Sequence, residues 1–405
     1  MILILELMDE AVTHAPGNSQ WAQVIARALP DHQVRVCAPP AHLRALREDA
    51  NLCALANVSF REIPLISAFR RQVNVVSPAR ARAEFAILRR LLAEVPAGES
   101  CLVVLASAAP TAVFAARLAG ALMRRRVAVQ MVLHGFANEV LGWRTRNPLL
   151  RRFDLPGLMA APPQGVRFLA LERAIAAELG RIAPAAAGRI DVLPLPVNAN
   201  EIVVLPPVPL EPPIRLALVG QTTRAKGIEP FLAMARALKA RHGSAVEFHV
   251  IGRRFPETPA EALAVLDGPP AEGYLDRKDF LARLAAMHYV VLPLQESYYR
   301  LSPSGALIDA ITWLKPVVAT AIPIVAEAFR EGGEIGVLCP DVAAMERALD
   351  RLVTAPDPAE YARQVAALRR LRDRRLPDAL VGTYRRIVET GFRDIAAGEK
   401  GAGQG

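Results

Sequence analysis

Seven prolines fall between positions 194 and 213: Pro194, Pro196, Pro206, Pro207, Pro209, Pro212 and Pro213. Proline fixes φ and lacks a backbone N–H, so this density continues neither a helix nor a central strand. The stretch divides the 405-residue chain into two parts, each long enough to bury a core of its own. On both sides, short apolar runs alternate with segments of helical periodicity. Uninterrupted apolar strands separated by helices imply parallel sheets covered on both faces. The fold class expected is therefore α/β, with two doubly wound domains.

Before the break, strands are expected at 2–7, 33–38, 101–107, 127–133, 166–170 and 190–193, with helices at 19–29, 79–94, 111–124 and 171–179. After it, strands at 214–220, 246–252, 289–294, 316–319 and 335–338 alternate with helices at 229–241, 276–287, 304–313 and 322–329. Residues 342–353 and 358–390 read as helical, the second as one run. The boundaries expected are a first domain over 1–197, a linker over 198–213 and a second domain over 214–355. C-terminal helices over 356–396 return to the first domain, and a disordered tail occupies 397–405.

The net charge is +9, carried largely by arginine. The arginines cluster at Arg70-Arg71, Arg80 and Arg82, Arg124-Arg125-Arg126, Arg151-Arg152 and Arg369-Arg370. Such clusters read as solvated helix faces, or as attraction to anionic lipid or phosphorylated substrates. Nucleic acid is not an expected partner: zinc-finger spacing, an aromatic RNA-binding signature and a basic tail are all missing. The four cysteines follow no metal spacing, and free thiols in a reducing compartment are the default. The N-terminus MILILELMDE lacks the basic start of a signal peptide. The longest uncharged run, 101–116, is too short to span a bilayer. A cytoplasmic protein is expected, with peripheral contact to the inner face of a membrane as an option.

Two segments of the second half carry chemistry. Residues 302–319, SPSGALIDAITWLKPVVA, read as a loop, a helix and a buried strand. Ser302 or Ser304 can cap that helix, and Gly305 lets a ligand approach its free N–H groups. Ala306 follows in the first turn and Asp309 lies one turn further along. A helix start of this kind is an anion site. Residues 218–227, LVGQTTRAKG, place Gly220, Gln221, Thr222, Arg224 and Lys226 on a loop after a strand. Two cations there suit a diphosphate. The loop has neither the dinucleotide glycine spacing nor a Walker pattern. Gly252, Arg253, Tyr274 and Tyr299 complete the candidate anion-binding set. In the first half, Gly17 and Asn18 open the first helix, and His134 stands at a strand end. His14, His32, His242, His249 and His288 read as structural, and no cluster has metal-ligand spacing.

Together these residues resemble the nucleotide-sugar glycosyltransferases of the GT-B fold, of family-4 (group 1) type. That family carries a strand with a Gly-Arg-x-x-x-x-Lys-Gly loop, a strand ending in Gly, and an acidic residue followed by Ala and Gly-x-Pro-Val. The counterparts are Gly220-Gln221 with Lys226-Gly227, Val250-Ile251-Gly252, and Asp309-Ala310 with Lys315-Pro316-Val317. The resemblance implies two Rossmann-like domains facing a central cleft, the donor on the second and the acceptor on the first. It implies that Lys226 holds the donor diphosphate, with Arg224 supplying the second charge because Gln221 replaces the family's Arg. Asp309 takes the ribose hydroxyls. The family's other acid falls at Leu301, and Tyr299, Ser302 and Ser304 bind the diphosphate in its stead. Gly17 approaches the donor phosphates, and His134 orients the acceptor or the moving sugar.

The activity implied is glycosyl transfer from a nucleotide-diphosphate sugar, with no bound cofactor or metal. The acceptor would be a glycan, a lipid-linked sugar or a small molecule. A catalytically silent binding subunit and a nucleotide-sugar epimerase are the alternatives.

Overall fold

In a computed structural model, residues 1–8, 15–66, 76–134, 137, 141–202, 208–273 and 275–393 are described. The chain forms two compact units. One comprises Met1–Asn200 with Arg375–Gly405, the other Glu201–Arg374.

The first unit is built on seven strands: β1 (Ile2–Glu6), β2 (Val34–Ala38), β3 (Val58–Glu62), β4 (Cys101–Ser107), β5 (Val127–Leu133), β6 (Val166–Ala170) and β7 (Ile190–Val192). They run parallel in the order β3-β2-β1-β4-β5-β6-β7. β1 and β4 are buried along their whole length, because helices cover both faces of an all-parallel sheet. The strand order reverses between them, which opens a crevice at their carboxyl ends.

β3 was not expected. Its sequence VSFRE is half-buried up to Arg61 and exposed at Glu62, and only Val58 and Phe60 pack on the core. An edge strand with one covered face lacks the continuous apolar run of a central one. The short helices Pro40–Arg47, Ala50–Cys53 and Leu155–Ala160 were also not foreseen. The first helix, Ala15–Ala28, begins before the expected position 19. Its buried Ser19, Gln20 and Gln23 all donate to the Asp49 carboxylate, which also caps the Ala50–Cys53 turn through the Leu52 N–H.

Arg80 corrects the reading of the arginine clusters as solvated faces. It is buried in the Pro78–Ala93 helix, 3.6 Å from buried Glu84, and its Nε donates to Thr111 Oγ1. Burial pushes the Glu84 carboxyl up to about 7, against the opposing pull of Thr111 and Arg80. Arg70 and Arg71 lie outside the described residues.

The helical run expected over 358–390 is two helices. Pro358–Arg374 belongs to the second unit and Pro377–Gly391 to the first. Pro377 supplies the break: it disfavours helix at the preceding residue and starts a new helix at its own position. The second helix packs along Ala15–Ala28 and sends Leu380, Tyr384, Ile387 and Val388 into the first unit's core. The Tyr384 hydroxyl donates to Gln130 Oε1 at 2.9 Å. Arg375 donates twice to the Glu172 carboxylate, at 2.6 and 3.1 Å, and both side chains are buried.

The second unit holds β8 (Ile214–Val219), β9 (Val246–Ile251), β10 (Tyr289–Leu292), β11 (Val317–Thr320) and β12 (Gly336–Cys339). They are parallel in the order β12-β11-β10-β8-β9. Here the order reverses between β8 and β10. Buried His288 ties the base of this sheet: its Nδ1 accepts from the Arg215 N–H at 2.9 Å, and its Nε2 donates to the Pro209 carbonyl at 2.8 Å. Burial pulls its pKa down to about 4, so the ring is neutral. All four cysteines are free thiols. Among the described residues no helix is long and apolar enough to cross a membrane. Pro206, Pro207, His14 and the tail expected from 397 lie outside the described residues.

Candidate active site at the strand ends of the second unit

β8 and β10 flank the switch in strand order, and their carboxyl ends lie side by side. Three glycines allow the backbone to crowd there. Gly220, at φ +107°, ends β8; a Cβ on it would run into Lys226 Nζ. Gly252, at φ +153°, ends β9; a Cβ on it would strike the Gly220 carbonyl. Gly227, at φ +76°, closes the turn Arg224–Lys226; its missing Cβ leaves room for the Pro293 carbonyl just beyond β10. The Gln295 N–H then donates to the Ala225 carbonyl at 3.1 Å, joining the two loops.

This packing lays Lys226 across the end of β8. Desolvation lowers its pKa, and the charge of Asp309 opposes that shift. Asp309 shows the converse: burial raises its carboxyl, and Arg277 pulls it back. Arg277 Nη2 donates to Asp309 Oδ1 at 2.7 Å. The same guanidinium grips Glu201 with two further bonds, at 2.9 and 2.6 Å. Burial alone would lower the Arg277 pKa, but Glu201 and Asp309 together raise it above the ordinary value. Its guanidinium carbon also lies 4.6 Å from the Phe280 ring centroid. Arg277 and Glu201 were not foreseen as site residues. One local signal was available: a cation at the first position of a helix, here Arg277–Ala285, opposes the dipole and asks for an acidic partner.

The Ser-Gly tip is built as expected at Ser304, which caps the Gly305–Thr312 helix by accepting from the Leu307 N–H at 3.3 Å. The Tyr299 hydroxyl hydrogen-bonds Ser304, while burial raises the phenol's pKa. Ser302 is buried, with its hydroxyl 3.4 Å from the Pro303 carbonyl. Open space lies where a Gly305 Cβ would point, and Ala306 behind it is buried. Leu301 is a buried core residue. Leu314 adopts φ +53°, the left-handed turn for which the family pattern has glycine before x-Pro-Val.

Other candidates sit differently. Arg224 is exposed and pairs with Glu229 at 2.9 Å, so its charge is directed to the surface. Thr222 is fully buried: its Oγ1 accepts from the Phe255 N–H and its carbonyl accepts from the Thr258 hydroxyl, both at 2.7 Å. It pins the loop rather than presenting a hydroxyl. The Arg253 carbonyl holds the Thr222 N–H at 3.1 Å, and its guanidinium lies 5.6 Å from the Phe255 ring centroid. The Gln221 carbonyl accepts from the Thr223 N–H at 2.9 Å. Tyr274 lies outside the described residues. Among the described residues no group of His, Cys, Asp and Glu could hold a metal ion.

A second polar group lines the carboxyl ends of β1, β4 and β5 in the first unit. Gly17 and Asn18 lie inside the first helix rather than before it. Asn18 Nδ2 donates to Glu6 Oε2 at 3.0 Å and lies 3.1 Å from His42 Nε2. His134 Nε2 is 3.0 Å from both the Ala106 carbonyl and Ser107 Oγ. A carbonyl only accepts, so Nε2 carries the proton. Glu6 and His42 are buried polar members that sequence reasoning missed.

Residues 213–355 match the family model of glycosyl transferases group 1. No curated protein sequence matches the chain. A glycosyltransferase from Rickettsia africae ESF-5 superposes with a TM-score of 0.65 at 13% identity, over 97% of this chain and 98% of that one. An E. coli trehalose-6-phosphate protein bound with UDP-2-fluoro glucose gives 0.64 at 12% identity, over 96% and 98%. HepE from Anabaena, in complex with UDP-glucose, gives 0.60 at 14% identity, over 96% and 98%. The chain has the GT-B fold, and within its second unit residues 213–355 match the glycosyl transferases group 1 model, as residues 214–340 led one to expect.

Proposed function

We propose that this protein transfers a sugar from a nucleotide-diphosphate donor, bound at the β8–β10 crevice, to an acceptor hydroxyl. The observation that carries this reading is the meeting of Lys226, Asp309 and the Gly305–Thr312 helix start at the switch point of a group 1 domain. Lys226 meets the diphosphate, and its charge, disfavoured by burial, is stabilised by the phosphate oxygens. The N–H groups of Gly305 and Ala306 point at the same anion. Asp309 takes the ribose hydroxyls, with Arg277 opposing the rise in its pKa that burial causes. Catalysis is electrostatic: cation and helix dipole stabilise the departing nucleotide. UDP-glucose, the ligand of HepE, is the first donor to test. The acceptor proposed is a glycan or a lipid-linked sugar of a polysaccharide or glycolipid, the anomeric outcome retention, and the place of work the periphery of a membrane.

Lys226→Ala should lower the turnover rate by about 10²-fold or more with the right donor. Wild-type turnover by that variant would remove Lys226 from the site.

One observation favours a second reading, a silent binding subunit: the family's first acid is here a buried leucine, Leu301. Donor binding by thermal shift, without hydrolysis or transfer in the presence of any acceptor tried, would select that reading.

A further inference from the structure

We propose that the first unit docks on an anionic lipid surface through a leucine-tipped, arginine-flanked face formed by Leu118, Leu122 and Leu149. This deepens the peripheral part of the reading above and specifies which surface meets the lipid. The three leucines are the most exposed large apolar side chains among the described residues, at 54%, 66% and 83%. Leu118 and Leu122 stand four residues apart on the Thr111–Leu122 helix, so they share one face. Phe114, a turn earlier on the same stripe, packs edge-on against Phe153 with ring centroids 4.8 Å apart. That contact joins the helix to the turn Pro148–Phe153, from which Leu149 projects.

The two stretches that carry these leucines hold charge of one sign. Residues 111–126 hold four arginines and 141–153 hold four more, with no aspartate or glutamate in either stretch. Arg124, Arg126, Arg144 and Arg146 are exposed. None of the eight is in a salt bridge among the described residues; Arg117 and Arg125 donate to the carbonyls of Gln164 and Pro96, which leaves their charge uncompensated. Elsewhere exposed arginines such as Arg181, Arg241 and Arg351 are matched to acids. Arg89, Arg90, Arg369 and Arg370 are also exposed and have no salt bridge among the described residues, so what sets this face apart is unmatched arginines together with the exposed leucines.

Exposed apolar tips on segments rich in unpaired cations fit a bilayer boundary, where leucines enter the acyl region and guanidinium groups meet lipid phosphates. A nucleic-acid backbone offers nothing to the leucines. A second copy of the same face would bring sixteen like charges together, twice the eight counted above. Each arginine near an anionic surface contributes roughly fivefold in partitioning.

The test is sedimentation of the full chain with phosphatidylcholine vesicles, with and without phosphatidylglycerol, at low and high salt. Binding should require phosphatidylglycerol and weaken with salt. The pair Arg126→Glu and Arg146→Glu should weaken it by roughly 25-fold or more. The pair Leu122→Gln and Leu149→Gln should reduce what remains at high salt. Thermal shift with UDP-glucose on the same variants should be unchanged from wild type, which separates this docking from the donor site. Failure to sediment with anionic vesicles overturns the proposal, as does sedimentation indifferent to both pairs. So does a dimer that the leucine pair disperses in a protein that ignores vesicles.

Discussion

Gly220, Gly252 and Gly305 all stand near the candidate donor site, and the space around each gives it a different role. At Gly252 an added Cβ would meet the Gly220 carbonyl, at a φ that side chains rarely adopt. Gly252→Ala should therefore destabilise the second unit by roughly 2 kcal/mol or more, read as a lower urea midpoint. At Gly305 a Cβ meets open space, in a helix where alanine is favoured. Gly305→Ala should leave the midpoint unchanged or slightly raised while weakening UDP-glucose binding several-fold, because the methyl group occupies the approach to the helix start. Equal affinity in that variant would place the phosphate elsewhere. Leu301 also has a residue-scale consequence. It is core, so Leu301→Glu should not restore the family's acid; it should cost about 3 kcal/mol of stability.

In the second unit, the starts of β8 and β10 are tied by His288, which bonds Arg215 and Pro209. An unfolded histidine titrates near 6.5, whereas this one titrates at about 4. The folded pKa is depressed, so as the pH falls the unfolded chain takes up the proton first. The contribution is complete above pH 6.5 and is lost between 6.5 and 4, a change on the order of 2–3 kcal/mol. His288→Gln can both accept from Arg215 and donate to Pro209 without titrating. The difference in unfolding free energy between wild type and this variant, read from urea titrations, should shift by about 2 kcal/mol between pH 7 and 5. A constant difference would assign the titration to another group.

At the scale of the whole molecule, the C-terminal helix Pro377–Gly391 completes the first unit although it follows the second in the chain. Leu380, Tyr384, Ile387 and Val388 belong to the first unit's core. Each buried side chain of this size contributes about 1.5–3 kcal/mol, and domains are stable by only about 5–15 kcal/mol. A chain ending at Arg374 should lose hydrogen-exchange protection in β1 and β4 while β8 and β10 keep theirs. Retained protection in β1 would show that the helix is an accessory.

How much of this was legible follows from the range over which each signal acts. The apolar runs of β1, β4, β8 and β10, the break at the prolines, and the glycines of the 218–227 loop are local patterns. Strand burial and turn geometry act within a few residues, so the two parallel sheets, the group 1 resemblance and the Ser304 cap could be read directly. β3 was hidden because an edge strand buries only one face. The pairing of Arg277 with Asp309, 32 positions apart, was hidden because a buried charge takes whichever partner the loops bring to it. Thr222 turned inward because the Phe255 amide, 33 positions on, claims its hydroxyl, whereas exposed Arg224 pairs locally with Glu229, five positions on. Local sequence determined which segments form strands and helices, and where the backbone must crowd. Only tertiary packing decided which polar groups face the crevice, because desolvation and pairing are settled by neighbours distant in the chain.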